Sequence, residues 1–118
     1  MGIFSKKTSI HSNIIDLSTS HMEMVVYKKQ LLEFNANRIK ALMFNASTTE
    51  KRGLQKAYID IKYANPVVSD EINKIDNDIA KVLDDLKLLY SKRLRSELSI
   101  GNKIKDLLEL IQQRQALE

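Results

Sequence analysis

Cysteine and tryptophan are missing from this chain of 118 residues, which has only one proline and three glycines. Without cysteine there can be no disulfide, no thiolate metal ligand and no thiol nucleophile, and the composition fits a reducing compartment. So little proline and glycine argues against a loop-rich or all-β fold. No apolar run approaches the roughly 18 residues of a membrane span. Lys6 and Lys7 are followed by neither an apolar core nor a small-residue cleavage site, so no secretory signal is expected. Gly53 and Gly101 stand alone, and no glycine-rich phosphate loop exists. Met1-Gly2 invites myristoylation, but Lys6 occupies the place where that motif takes Ser or Thr. Asn45-Ala46-Ser47 spells a glycosylation sequon, which without a secretion signal is expected to be chance.

What is present reads as helical. Leu, Ile, Lys, Asn, Asp and Ser dominate. The length suits one domain, with residues 1–12 as a tail or short amphipathic segment and 13–118 as the folded part. A chain of this size can bury roughly two thirds of its unfolded surface without a metal or disulfide staple. The net charge of +4 is unevenly placed: residues 1–59 hold 9 Lys/Arg against 4 Asp/Glu, and residues 60–118 hold 10 against 11. A basic N-terminal half permits an anionic partner and equally serves as ordinary solubilising charge.

The clearest pattern is an apolar stripe, Ile72, Ile75, Ile79, Val82, Leu86 and Leu89, at alternating gaps of three and four. That spacing keeps one face of a helix against a partner helix. Ser69 caps this helix, with Asp70 and Glu71 in the first turn where the dipole favours acids. Upstream, a first helix is expected from Ile14, or from a capping box at Ser20 and Glu23, to about Ala46. Its expected apolar face is Met24, Tyr27, Leu31, Phe34, Ile39, Leu42 and Met43. Ser47 and Glu50 form a second capping box, opening a helix over Thr48 to Ala64 that Asn65-Pro66 ends. Past Leu89 the seam positions fall to Arg93 and Ser96, and Ser99-Ile100-Gly101-Asn102 is the expected break. A last helix carries Ile104, Leu107, Leu108 and Ile111 and fades into the polar Gln112-Gln113-Arg114-Gln115.

Lengths then choose the shape. One unbroken helix over residues 68–117 would run about 75 Å, and a break at Gly101 leaves about 46 Å for residues 68–98. The first helix runs about 50 Å, against a diameter near 35 Å for a compact domain of this size. The expected fold is therefore all-α: an elongated antiparallel bundle of three or four helices with coiled-coil packing.

No constellation for catalysis emerges. His11 and His21 are too far apart in sequence for a shared metal-binding turn and have no Cys or His–Glu companion, so no metal or cofactor is expected. Asp76, Asp78, Asp84 and Asp85 lie opposite the stripe or on its flanks and read as solvated. No base, nucleophile and orienting group can be named together, so an enzyme with a small-molecule substrate is not expected. Lys51, Arg52, Lys56 and Lys62 gather near Tyr58 and Tyr63, and a second basic group holds Lys92, Arg93, Arg95, Lys103 and Lys105. These could meet phosphates while a tyrosine stacks on a base, although Arg93 and Arg95, two apart, would point to different sides of a helix. At the N-terminus, Ile3, Phe4 and Ile10 could enter a membrane surface while Lys6 and Lys7 meet anionic headgroups at about 1 kcal/mol each.

Met1-Gly2-Ile3-Phe4-Ser5-Lys6, then Ile10 and Asn13-Ile14, resembles the opening of the phage-shock protein A branch of the ESCRT-III superfamily. Lys28-Lys29-Gln30-Leu31 and Lys51-Arg52-Gly53-Leu54-Gln55 are loosely similar to that superfamily's basic helical hairpin. The resemblance implies a non-enzymatic protein that polymerises through long helices on anionic membranes, with Ile3, Phe4, Lys6 and Lys7 as an anchor. The chain departs from the pattern in its shortness, in Pro66 and in Lys7, where an apolar residue is usual. The expected function is a non-catalytic helical interaction or scaffold protein, cytoplasmic and at most membrane-peripheral. It would associate with itself or with another helical protein, using Ile72, Ile75, Ile79, Val82, Leu86 and Leu89. The alternative is a small basic subunit that binds DNA or RNA phosphates through Lys51, Arg52, Lys56, Arg93 and Arg95.

Overall fold

Ser47 begins the best-defined local structure in the chain. Its hydroxyl accepts from the Glu50 amide at 3.2 Å, and the Glu50 carboxylate accepts from the Ser47 amide at 3.0 Å. This reciprocal box closes the orphan donors of a helix start and opens α2, Thr48–Lys62. Ser69 does the same for α3, Asp70–Ser91, by accepting from the Ile72 amide. Ser96 caps α4, Glu97–Leu117, through the Ser99 amide. Before them runs α1, Ile10–Leu42, followed by a short 3₁₀ turn, Met43–Asn45. The computed structural model describes the chain from residue 10, and its side chains from residue 20. Among the described residues there is no strand.

The four helices of the described residues make an all-α bundle. α1 packs on α2 and α3, and α4 packs on α2 and α3, so the ring order is α1, α2, α4, α3. Loop 63–69 therefore carries the chain across the diagonal. Lys28 and Arg38 of α1 pair with Asp76 and Asp84 of α3 in the same order, so those helices run parallel. Arg114 and Lys103 of α4 pair with Asp76 and Asp85, so α3 and α4 run antiparallel. The molecule is a rod of 60 × 30 × 18 Å with a radius of gyration of 18.4 Å. A compact domain of this length would have about 13 Å.

The core is a continuous aliphatic column. Leu32, Ala36, Ile39 and Leu42 come from α1, and Leu54, Ala57 and Ile61 from α2. α3 adds Ile79, Val82, Leu83, Leu86 and Tyr90, and α4 adds Ile100, Ile104, Leu107 and Ile111. The stripe of α3 is largely spent inside this column: Ile79, Val82 and Leu86 are buried in it, Ile75 and Leu89 are half-buried at its edge, and Ile72 is buried one turn before it.

Four expectations need correction. The helix break falls at Lys92–Ser96, not at Gly101, which lies inside α4. The reason was visible in the stripe: once Arg93 and Ser96 occupy the seam, continuing the helix buries nothing, and Ser96 caps a new start. This also removes the single helix over residues 68–117. Ser20 does not start a helix, because α1 already runs from Ile10. Met24, Tyr27 and Phe34 are exposed, not core. Asp76 is buried, not solvated, and Arg114, in the polar stretch into which the last helix is expected to fade, is buried with it.

The two helical glycines behave oppositely. A Cβ on Gly53 would stand 2.7 Å from Cγ2 of Ile104, so α2 and α4 touch only because this position has no side chain. Gly101 faces open space. Gly101→Ala should stabilise by about 1 kcal/mol through helix propensity alone. Gly53→Ala gains the same propensity but forces Ile104 aside, and overpacking costs about 1–3 kcal/mol. A net loss of about 1 kcal/mol is therefore expected, and the two midpoints in urea should move in opposite directions.

Candidate interaction surface

α1 contains two stripes, and they face different things. Lys28, Leu32, Asn35, Ala36, Ile39 and Leu42 point inward. Met24, Tyr27, Leu31 and Phe34 sit about a quarter to a third of a turn around the helix and line the seam between α1 and α3. That seam is the least closely packed of the ring. It holds two depressions. One, of about 420 Å³, is walled by Phe34, Ala41, Leu42, Leu83 and Tyr90 with Arg38 and Lys87 at its rim. The other, of about 700 Å³, is walled by Met24, Tyr27 and Leu31 against Val68, Asn73 and Asn77. The Arg38 guanidinium also bonds Asp84 across the seam, and lies 5.8 Å from the centre of the Phe34 ring.

The exposure there is large. Tyr27 is 67% and Phe34 60% exposed, with Met24 beside them at half. Lone surface hydrophobics are ordinary, but a contiguous set on one helix face marks an interaction surface. Helix lengths explain why the face is left open. Lys28 stands level with Asp76, and α3 starts six residues before Asp76. α3 therefore accompanies α1 back only to about residue 22, and the preceding stretch of α1 runs on for about 18 Å.

Beneath this surface lies a buried ionic node. Asp76 accepts from Lys28 Nζ at 2.5 Å and from Arg114 Nε at 2.7 Å. Arg114, 1% exposed, also donates to the Asn65 carbonyl at 3.0 Å and to Glu118 at 2.5 Å. Two cations and two carboxylates thus tie α1, α3, α4 and loop 63–69 together. At the other end, Tyr90 donates to Glu50 at 2.8 Å. Burial, and then the Glu50 carboxylate, push the Tyr90 phenol well above its ordinary range. The Arg95 guanidinium donates to the Asn45 carbonyl at 2.8 Å and lies over the Tyr90 ring.

The remaining candidates are scattered. Lys51, Arg52 and Lys56 are exposed on α2, and Lys56 pairs with Asp60. Arg93 is exposed in the loop between α3 and α4, while Arg95 in the same loop is engaged with Asn45 and Tyr90. Neither arginine is on a helix, so the expectation that they point to opposite helix sides does not apply. Ile3, Phe4, Lys6 and Lys7 lie outside the described residues. Among the described residues, no group of three or more His, Asp or Glu side chains is placed to hold a metal ion. None of their helices is long and apolar enough to cross a membrane. No family model, curated protein or solved structure matches the chain.

Proposed function

We propose that this chain is a non-catalytic helical interaction protein that pairs with a second copy of itself through α1. The observation that carries the reading is the open face Met24–Tyr27–Leu31–Phe34, continuous with a stretch of α1 that outruns the bundle. The seam beside α3 extends along α1 from Met24 to Ala41, about 26 Å. It can therefore receive the roughly 18 Å of α1 that projects from another copy. Two copies related by a two-fold axis near Met24 would each lay the projecting stretch into the other's seam. Such an isologous contact closes on itself and buries the same patch twice. The stripe of α3 supports the arrangement indirectly, by holding the rigid wall of the seam.

The absence of cysteine makes the test simple. Met24→Cys puts a single thiol beside the proposed axis, and oxidation should give a covalent dimer, because a disulfide needs Cα atoms within about 7 Å. Sedimentation of the unmodified chain at high micromolar concentration should show a dimer that Tyr27→Glu and Phe34→Glu convert to monomer. A monomer at that concentration sinks the reading. A dimer untouched by either substitution moves the contact elsewhere. Binding of a different helical protein to the same face, competing with no self-pairing, replaces the second copy with that partner.

A further inference from the structure

The far side of the α1–α2 hairpin has a chemistry that self-pairing does not use. Lys29 and Lys40 are eleven residues apart on α1, and Lys51 and Lys62 eleven apart on α2. Eleven residues is close to three full turns, so each pair shares a helix face. The two faces meet at Tyr58. Lys40 from α1 lies 5.9 Å from its ring centre, and Lys62 from α2 lies 5.5 Å from it. Lys62 is also 5.5 Å from the ring of Tyr63, which is largely exposed. Two ammonium groups from separate helices are thus gathered on one ring. Among the described residues, none of the four lysines has a carboxylate within 4 Å, a state they share with Lys81, Lys87, Lys92 and Lys105, while Lys28, Lys56, Lys74 and Lys103 are paired. Glu33 is the one acid in register with this face on α1.

We infer that the Lys29–Lys40–Lys51–Lys62 face, with Tyr58 and Tyr63, is a binding surface for single-stranded nucleic acid. The lysines meet the phosphodiester track, and the exposed tyrosine ring takes a base by stacking. Between the lysines the face carries the exposed amides Asn37 and Gln55. Amides hydrogen-bond to phosphate, sugar and base edges, whereas the aliphatic chains a bilayer would take up begin on this side of α1 only beyond Lys29, at Val26 and Met22. A duplex would need an element entering a groove, and a flat hairpin side has none. Charge is complementary as well: the excess of basic residues lies in the half of the chain that builds this hairpin.

The test is fluorescence anisotropy of a labelled oligothymidylate with the full chain, beside flotation with vesicles of phosphatidylcholine and phosphatidylserine. Four phosphate contacts predict a log–log salt slope of about −2.8, so affinity should fall about 50-fold between about 50 and 200 mM salt. Lys40→Glu with Lys62→Glu should abolish binding, and Tyr63→Ala should weaken it about tenfold. All three are surface changes whose folding circular dichroism can check. Lys81→Glu on α3 and Lys105→Glu on α4 should leave binding within about twofold, the salt slope reporting only contacted phosphates. Absence of binding at low salt overturns the inference. So does equal loss in the α3 and α4 variants, which would mean unlocalised charge attraction. Vesicle binding that depends on Lys40 and Lys62 without oligonucleotide binding overturns it in favour of a lipid surface. None of these outcomes bears on pairing through the opposite side of α1.

Discussion

Asp76→Ala should destabilise the bundle by about 3–5 kcal/mol, the loss expected when one partner of a buried ion pair is removed. The side chains of Asp76, Lys28 and Arg114 are 2%, 7% and 1% exposed, so nothing in the solvent replaces the lost carboxylate. Two cations would be left buried, against a total stability of about 5–15 kcal/mol for a domain. The melting temperature should fall by on the order of 15 °C. The intact node adds far less than this, because burying its charges already carries a desolvation cost. Replacing all four charged residues together, as Lys28→Met, Asp76→Leu, Arg114→Met and Glu118→Gln, should therefore return stability to within about 1–2 kcal/mol of the unmodified chain. Urea unfolding followed by circular dichroism measures both. A cost for Asp76→Ala of about 0.5 kcal/mol, typical of a surface position, would mean that the node is wet.

The node also shows where the sequence could be read and where it could not. Local signals were legible: Ser47 with Glu50, Ser69 before two acids and Asn65-Pro66 each act within a few residues, and each stands where expected. The α3 stripe was legible for the same reason, since every seam residue from Ile72 to Leu89 is aliphatic. Arg114 was not, because it follows two glutamines in a stretch that reads as a fading polar end. Its burial depends on Asp76, 38 residues earlier, and on the carbonyl of Asn65. Long-range pairing of this kind leaves no periodic trace. The open seam was hidden by the same logic, since the inward face of α1 carries Lys28 and Asn35 and is less apolar than the outward one. Ranking stripes by hydrophobicity therefore chooses the wrong side of α1 as far as Phe34 and the right side from Ile39. Of the basic cluster, Lys62 with Tyr58 and Tyr63 was visible by spacing along α2. Lys40 joins only through the packing of α1 on α2.

A matched pair of substitutions separates the two faces of α1. Ile39 is fully buried and Phe34 is mostly exposed, yet the two are five residues apart and both belong to the expected apolar face. Five residues turn a helix through about 500°, leaving the two side chains about 140° apart. Both cannot face the core. Ile39→Ala removes a side chain packed in the α1–α2–α3 interior and should cost about 2–5 kcal/mol, combining lost transfer energy with the cavity left behind. Phe34→Ala removes a larger side chain but should change the stability of the monomer by no more than about 0.5 kcal/mol, because its ring is mainly in water. On the proposed pairing, unfolding must be measured well below the concentration at which copies associate, since pairing would add stability that depends on concentration. Above that concentration the ranking should narrow. Phe34→Ala then loses the stabilisation that pairing confers, while Ile39→Ala keeps the face and forfeits only the core. A Phe34→Ala cost of several kcal/mol in dilute solution would put Phe34 in the monomer's own core. A small cost that grows with concentration is the signature of a face that belongs to the partner.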